Sequence, residues 1–131
     1  MLFKGTRKRS AQAIAEEMEN VGGDINGATG VENTSYTARV LAADAPLAFD
    51  ILGDILTDSV FDEKELRREQ SVVIQEIGEL GDMPDDLVFE QFSEAAYPGQ
   101  AFGRAVLGTP ETIRSFSRRK VENYVARNYA R

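Results

Sequence analysis

The sequence of 131 residues predicts an α+β fold that is mostly helical and carries one small antiparallel β-sheet. Apolar residues recur at three- and four-residue spacing through most of the chain, which is typical of amphipathic helices. Residues 35–40 instead alternate polar and apolar side chains, which is typical of a half-buried strand. No internal repeat or low-complexity linker interrupts these patterns. The sequence therefore predicts a single α+β piece over residues 1–131.

The first helix and the sheet are predicted from local signals. Ser10 can cap a helix, because its hydroxyl can accept a hydrogen bond from an N–H group of the first turn. The run Val21-Gly22-Gly23 ends this helix, because glycine readily adopts the left-handed conformation found at helix C-termini. Residues 25–29 are then expected to pair with the alternating strand through a turn at Gly30-Val31-Glu32-Asn33, which makes a hairpin.

The rest of the chain is predicted to be helical. The predicted caps or first residues of these helices are Asp44, Asp62, Pro84, Thr109 and Ser117. The helix after Asp44 is expected to bury Ile51 and Ile55, and the helix after Asp62 is expected to run to about Leu80. The residues expected to face inward on the helix after Pro84 are Val88, Phe92, Ala95 and Ala96.

Charge and missing residue types exclude several classes of function. The net charge is −7, and residues 10–103 hold 20 acidic and 4 basic side chains, which argues against nucleic acid as a partner. Histidine and cysteine are both absent, which excludes Ser-His triads, thiolate nucleophiles and a zinc site completed by this chain's own imidazoles or thiolates. No apolar run reaches membrane-spanning length and no signal peptide is visible, so no membrane partner is predicted.

The basic cluster Lys4, Arg7, Lys8 and Arg9 is interpreted as a solvated loop that leads into the first helix. A localisation signal is the alternative interpretation of the same four residues.

Two glutamates occupy an unusual place on the helix after Asp62. With Leu66 at 0°, Glu69 falls at about 300° and Glu76 at about 280°, inside the apolar arc of a helical wheel. They are seven residues apart and share one face, with about 10 Å between them along the axis. A carboxylate that faces a core is costly unless it is paired or binds a metal. The alternatives are pairing with arginines, or an edge of the arc that reaches water.

The first strand of the hairpin is unusually small in its side chains. Its residues Asn26, Gly27, Ala28 and Thr29 are weak β-formers. Small side chains on a strand often mark a place where another backbone or a ligand comes close. A poor edge strand is the alternative interpretation.

Several runs resemble the M16 (insulinase or pitrilysin) metallopeptidases, most closely the bacterial members similar to the β subunit of mitochondrial processing peptidase. They are Met1–Thr6, Val21–Asn26, Glu32, Thr34, Tyr36, Val72–Glu76, Arg104 and Leu107–Ile113. The likeness covers essentially the whole chain in one register. It implies that residues 1–131 are part of an M16 N-terminal domain, with the LuxS/MPP-like metallohydrolase fold.

The resemblance implies a zinc peptidase whose inverted H-x-x-E-H motif provides two histidine ligands and a glutamate general base. This motif and the strand before it would lie ahead of Met1, and the C-terminal half of the family's first domain would follow this chain. No catalytic residue is therefore expected within it. Glu76 matches the family's third zinc ligand, and Glu69 matches the acidic residue that supports the site from one heptad earlier.

The strand residues also acquire a role from the resemblance. Asn26, Gly27, Ala28 and Thr29 match the family's strand beside which a substrate peptide is held by β-augmentation. The family usually has alanine where this sequence has Gly27, so we expect the main-chain contact to remain possible and the strand to be less rigid.

The function implied is that of a fragment of a Zn²⁺-dependent endopeptidase acting on peptides or unfolded proteins, with the fragment itself inactive. A gene-start error or a truncated copy explains the missing motif, and a naturally short, non-catalytic module is the competing explanation. The alternatives are a non-catalytic M16-like partner subunit and an unrelated helical domain with an acidic binding face. A partner subunit or a homodimer is the expected assembly, in a bacterial cytoplasm or periplasm.

Overall fold

A computed structural model describes residues 1–129 and confirms the mostly helical α+β architecture. The helices are α1 (Ala11–Asn20), α2 (Ala45–Thr57), α3 (Glu63–Gly81), α4 (Pro84–Ala96), α5 (Pro110–Arg114) and α6 (Arg118–Asn128). The strands β1 (Asp24–Thr29) and β2 (Thr34–Arg39) form a two-stranded antiparallel sheet. Short 3-10 turns lie at Leu2–Lys4, Ala42–Asp44 and Ala101–Gly103. None of the helices within residues 1–129 combines the length and the apolar character needed to cross a membrane.

The contacts divide the chain into two compact units. The first comprises Met1–Ala28, Ser35–Leu66 and the described residues from Ser117 onward. The second comprises Thr29–Thr34 and Arg67–Phe116. Helix α3 therefore begins in the first unit and continues in the second.

Most predicted caps are confirmed. The Ser10 hydroxyl accepts the N–H of Ala13 at 3.1 Å, and Gly22 ends α1 with a φ of 62°. The Asp62 carboxylate accepts the N–H groups of Lys64 and Glu65 at 2.9 and 3.1 Å. These caps satisfy N–H groups that have no partner within the helix.

Asp44 precedes α2 as predicted, but its side chain makes no cap bond. Capping side chains usually belong to residues in the extended conformation, whereas Asp44 has φ −99° and ψ 2°. Its own N–H instead closes the preceding 3-10 turn on the carbonyl of Leu41, at 2.9 Å.

The core of the first unit lies between α1, α2 and the segments that flank them. Ile51 and Ile55 of α2 are fully buried, which confirms the predicted inner face. The other buried apolar residues of this core are Leu2, Ile14, Met18 and Phe61. Because Leu2 is only 6% exposed, the N-terminal turn is part of the core.

Phe61 joins α2 to α3 in an unusual backbone conformation. Its φ is 47°, in the left-handed region that bulky residues rarely adopt. The side chain is only 7% exposed and belongs to the core. Burial of the ring offsets the steric cost of this conformation.

The prediction for α4 is wrong in the face that it buries. Val88 and Phe92 are 55% and 67% exposed, and Ala95 and Ala96 are exposed as well. Within the second unit α4 instead packs on the 3-10 turn Ala101–Gly103. A helical pattern identifies the apolar side of a helix, but burial also requires an element that packs against that side.

Truncation of the core is expected to destabilise the first unit. Ile51→Ala removes a fully buried side chain and should lower the free energy of unfolding by about 2–5 kcal/mol. Phe49→Ala, on the same helix at 75% exposure, should change it by less than about 0.5 kcal/mol. Urea denaturation followed by circular dichroism measures both variants. Equal losses for the two would contradict the position of the core.

Glycine substitutions give a matched test in the second unit. A Cβ at Gly103 would overlap the backbone carbonyl oxygen of Tyr97, so Gly103→Ala should destabilise by about 1–3 kcal/mol. A Cβ at Gly78, within α3, would meet nothing within 4 Å. Gly78→Ala should therefore stabilise by up to about 1 kcal/mol, because alanine is the better helix former. Thermal unfolding of both variants checks the opposite signs.

Candidate functional site

Glu69 and Glu76 lie on α3 as predicted, but the structure places them differently. Glu69 is half-buried and Glu76 is exposed. The Gln70 side chain shows which side of α3 is covered, because its Nε2 donates to the carbonyls of Ile113 and Phe116 at 2.7 and 3.0 Å. The centre of the covered arc is therefore shifted toward Gln70, and Glu76 lies just outside it. The expectation that Glu76 faces a core is wrong.

The Glu76 carboxylate is open to solvent and makes no hydrogen bond or ion pair with another residue of the described range 1–129. An exposed carboxylate carries little desolvation cost, so its position does not require a cation. Of the two predicted alternatives for an inert carboxylate, the edge of the arc applies to Glu76. The same exposure leaves both of its oxygens available to an incoming ligand.

The residues of this chain fit a zinc ion at one donor position only. Among residues 1–129 no group of three acidic side chains converges, and the sequence has no histidine or cysteine. Zinc in peptidases is usually held by three protein ligands that include imidazoles. Glu76 offers one carboxylate toward such a set, while Glu69 already has an interaction partner.

The predicted substrate strand is accessible. Asn26, Gly27, Ala28 and Thr29 lie in β1 and are all exposed. Within the described part of the chain β1 pairs only with β2, so its other edge carries no strand. Asn26, Gly27 and Ala28 belong to the first unit, whereas Thr29, Glu69 and Glu76 belong to the second.

Gly27 has a structural reason in the aromatic rings beside it. A Cβ at this position would lie 3.0 Å from the Phe3 ring and 3.1 Å from the Tyr36 ring. The two rings are themselves in contact, with centroids 5.9 Å apart. The Tyr36 hydroxyl lies 3.2 Å from that of Tyr129. An alanine at position 27 would require these rings to yield by a few tenths of an ångström.

Sequence reasoning missed a charge cluster around Arg9. Its Nε donates to Glu17 at 2.9 Å, its Nη1 to Asp54 at 3.1 Å and its Nη2 to Asp50 at 2.5 Å. The Arg9 side chain is only 13% exposed and that of Asp54 is fully buried. The interpretation of Arg9 as part of a solvated loop is therefore wrong. The available signal was Asp54, an acidic residue beside Ile55 on the apolar side of α2.

Thr6 connects the same buried carboxylate to the loop backbone. Its hydroxyl donates to Asp54 Oδ2 at 2.7 Å and accepts the N–H groups of Lys8 and Arg9 at 3.1 and 2.9 Å. The loop is closed by a backbone bond of 2.8 Å from the N–H of Thr6 to the carbonyl of Arg9. Thr6 therefore shapes the loop and fixes it to α2.

The cluster shifts the ionisation of its members. Three carboxylates, with Asp50 the strongest contributor, raise the pKa of Arg9 above its usual value. The Arg9 guanidinium in turn lowers the pKa of Asp50. Both groups therefore keep their charges at neutral pH.

Acid should weaken the fold through Asp50. Its folded-state pKa is lowered, so at acidic pH the unfolded chain binds more protons at this site than the folded chain. The free energy of unfolding should fall as the pH drops below about 4, near the pKa of a free aspartate. Asp50→Asn should reduce this slope, measured by urea denaturation at a series of pH values.

Asp82→Asn is the control for the acid series. Asp82 is exposed, and its side chain makes no hydrogen bond or ion pair within the described range. This variant should keep the slope of the unsubstituted chain. An Asp50→Asn slope equal to that of both other proteins would contradict the coupling between Arg9 and Asp50.

The sequence was compared with known families and proteins. The profile of the insulinase family, peptidase family M16, matches residues 1–110. An uncharacterized zinc protease of Rickettsia felis is 41% identical over 129 residues, which are 98% of this chain and 31% of that protein. The β subunit of the mitochondrial-processing peptidase of Saccharomyces cerevisiae is 43% identical over 129 residues, 98% of this chain and 28% of that protein.

Solved structures give the same fold. A protease from Helicobacter pylori superposes with a TM-score of 0.89 at 19% identity, over 98% of this chain and 31% of that chain. Pitrilysin superposes with a TM-score of 0.82 at 24% identity, over 98% of this chain and 14% of that chain. The chain thus spans about three-tenths of the length of the curated relatives named above. Because the family profile matches most of its residues, the chain belongs to the insulinase family of peptidases, M16.

Proposed function

We propose that this chain is the part of a zinc-dependent metalloendopeptidase that contributes one metal-binding carboxylate, Glu76, and a peptide-binding strand, β1. The observation that carries the proposal is the family match over residues 1–110, together with relatives named as zinc protease and processing peptidase. The open, unpaired carboxylate of Glu76 supports its role as a ligand.

The remaining ligands and the general base lie in an H-x-x-E-H motif, which this sequence does not contain. Bound zinc would activate water and polarise the substrate carbonyl. Glu76 binds and orients one side of that site, and Glu69 supports it from one heptad earlier on α3. A chain with a single ligand and no histidine should bind zinc weakly and hydrolyse no peptide by itself.

The substrate in this proposal is a peptide or an unfolded protein that adds a strand to the outer edge of β1. Exposed residues and a strand-free edge support this mode of binding. The Gly27 N–H is now bonded to the side-chain oxygen of Asn26 at 2.8 Å. This local bond can exchange for one to a peptide carbonyl. The acidic balance of residues 10–103 favours basic peptides.

A non-catalytic M16-like partner subunit is the second candidate function. The observation that favours it is the exposure of Glu76. A carboxylate in water carries no desolvation cost that a cation must offset, so an inactive subunit could keep it without penalty.

Metal content decides between the two functions. The frame upstream of the Met1 codon should encode H-x-x-E-H, and the protein expressed from it should contain stoichiometric zinc. Glu76→Gln should lose most of this zinc, because an amide is a poorer ligand than a carboxylate. Inductively coupled plasma mass spectrometry of the purified proteins measures the difference.

Glu79→Gln is the matched control, because Glu79 is exposed on the same helix and interacts only locally, with Gln75 at 2.8 Å. It should keep the zinc. Absence of zinc from the unsubstituted protein would favour the partner subunit, and a stop codon upstream of Met1 would refute the peptidase assignment.

A further inference from the structure

The segment Leu2–Arg9 is fixed from two sides within the first unit. On one side it bonds to the end of α2 and the residues that follow, residues 55–60. Ser59 Oγ donates to the carbonyl of Leu2 at 3.0 Å, and the N–H of Val60 donates to that of Gly5 at 3.2 Å. The N–H of Arg7 donates to the carbonyl of Asp58 at 3.1 Å. The backbone of this segment therefore has a defined path rather than the freedom of a tail.

On the other side the segment is tied to helices α1 and α2 through charge. The Arg9 guanidinium contacts Glu17 of α1 and both Asp50 and Asp54 of α2. A guanidinium suits this place because its planar fork of donors can reach several carboxylates at once, whereas an ammonium acts as a compact charge. The second oxygen of Asp54 is buried without a partner among the described residues, so Arg9 and Thr6 provide all its visible compensation.

We infer that Arg9 is a positioning residue for the zinc site: it fixes Leu2–Thr6 and thereby the direction in which the chain enters Met1. The inference rests on the proposed function, in which the histidine-bearing motif directly precedes Met1. Arg9 acts on it only through the backbone of the loop and touches neither metal nor substrate.

The loop passes the constraint on without flexible joints. Leu2 is buried in the core, and Gly5 is buried with a φ of 119°, a conformation that other residues rarely adopt. Thr6 is buried and bonded to Asp54. Loss of the fork at position 9 would leave Thr6 alone on Asp54 and loosen this run. Partners that orient metal ligands indirectly typically change metal affinity by about 10–100-fold when altered.

The experiment compares Arg9→Lys with Ile51→Val in the protein expressed from the upstream frame. Ile51→Val weakens the same core without touching the loop, and Arg7→Lys controls for a charge-conserving change at an exposed arginine of the same loop. Zinc affinity is measured by competition with a chromophoric chelator, under conditions where all four proteins are folded. Amide hydrogen exchange at Thr6 and Arg9 is measured in the 131-residue chain itself.

We expect Arg9→Lys to weaken zinc binding by at least about 10-fold and to speed exchange at Thr6 and Arg9. Ile51→Val and Arg7→Lys should stay within about 2-fold of the unsubstituted protein, so a loss confined to Arg9→Lys separates positioning from general stability. Unchanged zinc affinity in Arg9→Lys would overturn the inference while leaving the peptidase assignment intact. Equal losses in Arg9→Lys and Ile51→Val would also overturn it. Lack of zinc in the unsubstituted protein would overturn the proposed function first and the inference with it.

Discussion

The buried carboxylate of Asp54 is the constraint around which the first unit is organised. Removing an ionised group from water costs several kcal/mol, so the groups that compensate it must stay in place. Those groups are the Thr6 hydroxyl and the Arg9 guanidinium, which come from the segment ahead of α1. The same guanidinium reaches Glu17, so α1, α2 and the N-terminal segment meet in one charge cluster. The packing of Leu2 into the core follows from the same arrangement.

Elements that depend on local chemistry could be predicted from the sequence. Ser10 and Asp62 cap their helices because the partners are N–H groups only two or three residues away. The hairpin turn follows from the same locality, with the N–H of Gly30 on the carbonyl of Asn33 at 2.7 Å. The Arg9 cluster escaped prediction because its partners lie as far as 45 residues away. A basic run at the surface and a buried ion-pair cluster look alike in sequence.

The candidate site was predicted in its residues but not in its surroundings. The match of Glu76 to a family ligand rests on register alone, and the structure corrects the argument that the side chain faces inward. The helical wheel failed here because the centre of the covered side of α3 depends on what packs against it, including the contacts of Gln70. On α4 the same limitation exposed Phe92, whose burial would require a neighbouring element on that side.

The left-handed backbone of Phe61 bears on how α2 and α3 can move. Glycine would fit this conformation at no steric cost, yet the position holds an aromatic ring that is sunk in the core. The ring can leave its place only if the joint unwinds, and the joint can relax only if the ring leaves. The connection is thus a locked elbow instead of a hinge, and the start of α3 keeps a fixed angle to the end of α2.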